Sequence, residues 1–373
     1  MAGRTRAALR PLSRASLPRT ASRDKTTSRR QPGSVNGGIQ FPDEVSLFVG
    51  EAITPRLGTF LQFTYTAVDG SLAIDNAELR YANHTSLSGK PLTFGMTLNN
   101  NPSMQDVWNS TPVWGFPYVA SPIAAVPAAA ALIDGSLGQS VAGLGAYAFF
   151  DNAVYAEFSA YGSAPQGGVQ PADSTSENTI RGAAPYWRVA LTHSWGRNTF
   201  EVGTLGMNTR LIPEGIDGVT NGYRDLAADF QYERSVGASY LTVHGIFVHE
   251  KQTLNAGFTN GRSGNPTNTL RTLRADGSLI VRGRASLTAG IFGTSGSTDS
   301  ALYPPDPVVG SATGSPESRG FIAQVDFMPW LNTRVGLQEV VYTRFNGAAS
   351  AYDGFGRNAS ENNTTFLSVW LAF

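Results

Sequence analysis

Few residues in this chain are of types that do covalent chemistry. Cysteine is absent, which excludes disulfides, thiolate metal sites and haem attachment through a C-x-x-C-H motif. The four histidines are His84, His193, His244 and His249. His244 and His249 are five residues apart, so on a strand they point to opposite faces and do not share a metal. No nucleophile–base pair, paired-carboxylate site or phosphate loop stands out, and Gly261–Gly264 reads as a loop. The expectation is a non-enzyme with no catalytic, cofactor or metal site in the chain itself. What remains is charge. Glu78, Arg80, Glu157, Arg188, Asp229, Glu233, Arg282, Arg284 and Asp326 are candidates for the polar faces of alternating segments. Such a mixed-charge lining tunes which solutes pass a pore; it also makes cross-lumen ion pairs that fill and stiffen a barrel.

The elements that would position these charges are strands. In Thr59–Ala67, Leu61, Phe63 and Tyr65 share one face; in Leu72–Asn83, Ala77, Leu79 and Tyr81 oppose Asn76, Glu78 and Arg80. Tyr186–Trp195 sets Trp187, Val189, Leu191 and His193 against Arg188, Ala190, Thr192 and Ser194. Arg224–Arg234 sets Phe230 and Tyr232 against Asp229, Gln231 and Glu233. Short turns at Asp151-Asn152, Gly196–Asn198 and Pro329-Trp330 stand between much longer loops, the asymmetry of an outer-membrane barrel.

Composition agrees. Only 15% of the 373 residues are charged, against about 25% in ordinary soluble domains. No stretch approaches the roughly 20 apolar residues of a membrane helix; the most apolar run, Ile123–Ile133, is interrupted by Pro127. A membrane protein without helical spans must be a closed barrel, because its backbone polar groups need internal partners. The fold class read from the chain is therefore all-β: a transmembrane antiparallel β-barrel of about 14–16 strands with a long inserted loop. Integral placement in a bacterial outer membrane follows, with outer-membrane lipid and the assembly machinery as partners and a homo-oligomer as a further open expectation.

Three segments depart from the rhythm. Residues 1–36 form a basic block, with eight Arg and one Lys against the single acid Asp24 in Met1–Arg30. This block lacks the apolar core of a secretory signal and the aromatic interleaving of a nucleic-acid arm, so no fixed structure and no nucleic-acid partner are expected. A truncated or misplaced gene start is one reading of it. Within the barrel domain, 37–373, the segment 99–138 is rich in Asn, Trp and Pro and then in Ala, the last part suggesting a short helix. Asn99, Asn100, Asn101, Asp106, Trp108 and Trp114 are its candidate plug or constriction residues; the alternative is a surface loop packed on its own aromatics. Finally, Thr364–Phe373 alternates and ends on an aromatic, the closing signal of such barrels, with Trp370 and Phe373 as its marker residues. Gln31–Gln40 is Gly-rich and poor in alternation, so an odd strand count or a weakly paired seam beside Phe373 is expected.

The segment NNNPSMQDVWNSTPVWGFPY, with the upstream EVSLFVGEAIT…LGTFLQFTYTAVDG and IDNAELRYAN, resembles the fused monohaem cytochrome–porins, including those linked to outer-membrane iron oxidation. The resemblance covers approximately Gly37–Phe373 and implies a barrel of about sixteen strands preceded by a c-type cytochrome. Here the haem motif is missing, so no haem ligand carries over. Two functions are therefore expected: a passive channel for small solutes, read from the polar inner faces and the long insert, or, as the resemblance implies, the protein sheath of an electron conduit whose haem comes from a partner cytochrome or a missing upstream segment.

Overall fold

Alternation at period two becomes one antiparallel sheet. A computed structural model of the chain describes residues 12–13, 19–21, 37–39, 41–67, 70–121, 123–163, 177–214 and 218–372; 12–13, 19–21, 177–178 and 214 are described by backbone alone. Two short segments come first, β1 (Leu12–Ser13) and β2 (Arg19–Ala21). They are followed by β3 (Glu44–Thr54), β4 (Leu57–Thr66), β5 (Ser71–Leu87), β6 (Lys90–Asn99), β7 (Val141–Phe150) and β8 (Val154–Ser163). Next are β9 (Glu177–Ile180), β10 (Ala184–Trp195), β11 (Asn198–Glu214), β12 (Asn221–Val236) and β13 (Ser239–Thr253). The last are β14 (Thr267–Val281), β15 (Ala285–Gly296), β16 (Ser318–Trp330), β17 (Thr333–Arg344) and β18 (Thr364–Leu371). From β3 onward these are sixteen antiparallel strands.

Neighbours in sequence are neighbours in the sheet, except that β10 pairs with both β8 and β11 while β9 pairs with the far end of β11. At the seam, β18 pairs with β17 from Thr333↔Leu371 to Val340↔Thr364, but its other edge meets β2 only at Thr365–Leu367. The opposite edge, β3, meets β1 at Leu47 and Phe48. Both edges of the long sheet therefore turn to the same N-terminal segment for partners. The rest of 1–36 and Phe373 lie outside the described residues.

Connections alternate in length. One rim carries 55–56, 88–89, 151–153, 196–197, 237–238, 282–284 and 331–332; the other carries the long 100–140, 254–266, 297–317 and 345–363. The sequence reading put a turn at Pro329-Trp330; these two residues instead finish β16, and the turn is 331–332. Arg282 and Arg284 are likewise turn residues, exposed, with Arg282 at φ 50.

The two faces of the sheet are chemically opposite. Leu98, Leu144, Phe158, Val189, Leu191, Leu226, Phe247, Leu273, Leu287, Phe321 and Leu337 are exposed on one face, while Glu78, Glu157, Arg188, Glu201, Asp229, Gln324, Asp326 and Gln338 are buried on the other. An exposed apolar band around a buried polar interior is the inverse of a water-soluble sandwich, and only hydrocarbon makes it favourable. None of the described helices is long and apolar enough to cross a membrane.

On the long-loop rim, Asp299 clasps two loops together. Its carboxylate accepts hydrogen bonds from Ser263 Oγ (2.7 Å), Asn268 Nδ2 (2.9 Å) and the backbone N–H groups of Gly264 (2.8 Å) and Leu302 (3.0 Å). Burial pushes this carboxyl up, but the hydrogen bonds outweigh it and hold the group well below the usual carboxylate range.

Two measurements check this architecture. Phe158 sits mid-strand on the exposed face of β8, so Phe158→Arg should lower unfolding stability in lipid vesicles by about 2–4 kcal/mol. Because the folded-state pKa of Asp299 lies below its unfolded value, its contribution is present above about pH 4 and fades as pH falls toward the folded pKa. Hydrogen-exchange protection of the 254–266 and 297–317 loops, measured against the intrinsic rate at each pH, should fall on acidification in the native chain and be lowered already at neutral pH in Asp299→Asn.

Candidate functional site

Residues 100–140, between β6 and β7, fold into the barrel interior and reach walls on opposite sides. The entry is fixed by asparagines. Asn99, at the end of β6, accepts from Tyr161 OH (3.1 Å). Asn100 Oδ1 accepts from Ala77 N (2.7 Å), and Asn101 Nδ2 donates to Asn76 Oδ1 (3.1 Å). Gln105 Nε2 then donates to Glu157 Oε1 (2.5 Å), whose other oxygen accepts from Tyr155 OH (2.9 Å).

Arg188 is the next hold. Its side chain is 1% exposed and lies 2.9 Å from Asp106 of the insert, 2.6 Å from Asp229 on β12 and 3.2 Å from Glu201 on β11. Trp108 covers the guanidinium at 5.3 Å and meets Tyr155 edge-on. Asp106 also shapes its own loop, because its Oδ2 accepts from Ser110 N, Thr111 N and Thr111 Oγ1 and so closes the tight turn that presents it. Ser110 Oγ in turn donates to Asp229 Oδ2 (2.5 Å). Gly203 leaves the room this cluster needs, since a Cβ there would stand 2.6 Å from Asp229 Oδ1. Taking a guanidinium and three carboxyls out of water is expensive, so the cluster acts less as a source of stability than as a device that specifies where the insert sits.

Farther along, residues 112–133 carry no charge. Their far part is not the short helix suggested by composition: Ala128 to Ala131 have no helical structure, and one irregular turn follows at Leu132–Ser136. Pro127 has no backbone donor, and the wall supplies substitutes for the helix's own hydrogen bonds. Asn346 Oδ1 accepts from Ala128 N (3.0 Å) and Glu250 Oε2 accepts from Leu132 N (2.6 Å). Gln338 Nε2 donates to Val119 O (3.0 Å). Ala129, Ala131 and Ile133 pack on Tyr186, Leu205, Met207, Val248 and Leu270. Asp134 receives both terminal nitrogens of Arg274, and Gln139 returns the chain to Asp75 (2.9 Å).

The insert therefore divides the interior. On one side is a cavity of about 530 Å³ between Phe116, Pro117 and Val126 of the insert and Arg274, Phe292 and Tyr342 of the wall. On the other is a smaller one of about 330 Å³, lined by Phe60, Glu78, Arg80 and Trp114. Trp114 is held by its Nε1 donating to Met104 O (3.0 Å). Arg80 bonds Glu78 (2.8 Å) and lies 5.6 Å from the Tyr147 ring.

Of the wall residues singled out from sequence, Glu78, Arg80, Glu157, Arg188, Asp229 and Asp326 all sit on the inner face. Asp326 accepts from Gln324 and Ser286 and lies 3.7 Å from Arg334. Glu233 is also inner but near the turn rim, bonded to Gln231. Arg282 and Arg284 are not brought to this group. Trp370 faces inward, its ring 4.4 Å from the Arg334 guanidinium. Sequence reasoning missed Asp75, Gln105, Asp134, Glu201, Glu250 and Arg274. In β11 the inner face is Glu201, Gly203, Leu205 and Met207, so apolar residues share the face with the acid and blur the polar signal. Among the described residues no group of His, Asp and Glu is arranged to hold a metal.

The fold has counterparts among solved structures. The outer-membrane channel DcaP of Acinetobacter baumannii is 12% identical, with 100% of each chain covered and a TM-score of 0.54. An anion-selective porin from Comamonas acidovorans is 11% identical over 97% of each chain, with a TM-score of 0.50. The fold is that of an outer-membrane porin. No protein-family model matches the sequence, and no curated protein matches it.

Removing Arg188 would leave three carboxyls facing one another without their cation. Arg188→Ala should lower stability by about 3–5 kcal/mol, read from urea unfolding of the refolded barrel. Limited proteolysis should then cut within 106–131, which the native chain protects; an uncut insert in a folded variant would deny Arg188 its anchoring role.

Proposed function

We propose that the protein is a porin of the bacterial outer membrane that passes small solutes by diffusion, with its own insert setting the constriction. The observation that carries this reading is the division of a polar-walled barrel by a segment fastened at both ends and charge-free between, with open space on either side. Water-filled porin lumens have the same polar lining, and loops that reach into them narrow the path. The passage-facing side of the insert offers Phe116, Pro117 and Val126, so charge discrimination falls to wall residues such as Arg80, Glu78, Arg274 and Asp276.

The cytochrome-sheath reading needs a lumen free to receive a second protein. Residues 100–140 instead divide that space into two cavities of about 530 and 330 Å³.

Purified protein in a planar bilayer should give discrete single-channel steps. Excising 112–131 and rejoining the chain with a short Gly/Ser linker should raise the conductance several-fold, because the anchors at Asp106 and Asp134 flank the excision. A silent bilayer with both proteins would sink the channel reading, whereas equal conductance would sink the role of the insert.

A further inference from the structure

The outer surface of the barrel has a charged feature that solute passage does not use. Arg210 on β11, Arg224 on β12, Lys251 on β13, Arg271 on β14 and Arg319 on β16 are all exposed. Their neighbours Thr209, Asp225, Gln252, Leu270, Thr272 and Ser318 are buried on the inner face, so these five cations project outward. All lie at the long-loop ends of their strands. Arg319 has Glu317 at 4.0 Å; the other four pair with no carboxylate among the described residues.

Their register sharpens the point. Arg224 and Lys251 are direct cross-strand partners, and Lys251 pairs with Thr269, placing Arg271 on its diagonal. Like charges directly opposite in a sheet repel, and diagonal neighbours are within reach of long side chains. Three cations are thus crowded on three adjacent strands without a carboxylate between them. Two residues below Arg224, Arg271 and Arg319, toward the turn rim, the same outward face becomes apolar at Leu226, Leu273 and Phe321; below Lys251, His249 intervenes before Phe247. Two residues of strand span roughly 6.6 Å, so the cations stand just above the hydrocarbon boundary, at headgroup depth. On the opposite half of this rim the outward positions Leu72, Leu98 and Leu144 are apolar, so the band is a local patch.

We propose that this patch binds phosphate-bearing headgroups of the lipid leaflet that meets the long-loop rim. The chemistry fits: guanidinium groups take phosphate oxygens in pairs, and the anion relieves the repulsion that the bare strands carry. A second copy of the chain fits poorly. Among strand residues whose side chains are described, the outward-facing acids are Glu51 and Glu339, one near the turn rim and the other on β17 hydrogen-bonded by Thr365. The proposal rests on the barrel's membrane embedding and not on its conducting solutes.

The test uses the full chain in a zwitterionic detergent, titrated with short-chain phosphatidic acid or phosphatidylcholine and read by native mass spectrometry. Phosphatidic acid should be retained and phosphatidylcholine lost. Arg271→Gln should weaken retention about fivefold, and the combined Arg224→Gln, Lys251→Gln and Arg271→Gln variant on the order of 100-fold, since each cation contributes separately near an anionic surface. Added salt should weaken binding in the native chain. Equal retention of the two lipids, or retention unchanged in the triple variant, would overturn the proposal. Displacement by equimolar inorganic phosphate would show a free-anion site instead. A loss of oligomer mass in the triple variant with lipid retained would show a protein interface. Conductance of the triple variant should match the native chain, which separates this test from that of the channel.

Discussion

A guanidinium enclosed at the centre of a barrel must be answered by charge, and Arg188 is answered from three directions. Two carboxyls come from neighbouring strands and one from the insert. Without Asp106 the wall would present an uncompensated cluster; without the wall Asp106 would have no reason to enter a lumen. This reciprocal need converts an irregular 41-residue excursion, 100–140, into a fixed partition. The later anchors at Glu250, Arg274 and Gln338 extend the partition across the barrel, and the two cavities are what it leaves open.

The contrast between the ends and the middle of the insert has a physical logic. Buried polar groups must be paired, so the segment is polar where it touches charged wall and apolar where it touches Leu205, Met207 and Leu270. Prolines keep the apolar part from closing its own hydrogen bonds into a helix, leaving backbone donors for Asn346 and Glu250 to accept from. Composition alone suggested a helix because alanine favours one. The outcome was decided by which acceptors the wall provides.

Much of the barrel was legible in the chain. Period-two alternation placed most strands within a few residues, missing β9 in a stretch that reads as a polar loop, and it assigned Glu78, Arg188 and Asp229 to the inner face because apolar neighbours flank them on the other. The same rule misled at Arg284, where a strand was extended into what is a three-residue turn. It was silent at Glu201, Glu250 and Arg274, because that sector of the wall is partly apolar inside and alternation loses contrast there. That Asp106 and Trp108 belong to the insert was readable; that they meet Arg188 was not, since a contact between residues 82 positions apart leaves no mark in local pattern.

The placement of the anchors also constrains the order in which the barrel forms. The insert leaves the sheet after β6 and its entry is met by β5 and β8, but its farther partners run from β10 to the loop after β17, and Val119 waits for Gln338, 219 residues later. Contacts at such separation carry a heavy loop-closure cost and form late. Until those later elements arrive, only the ends of the insert, at Asn100, Asn101, Gln105 and Gln139, have wall to fasten to. Its final seating must therefore coincide with the arrival of the C-terminal strands, so that a chain halted before β17 would hold a nearly complete wall around an insert still loose at Val119 and Ala128.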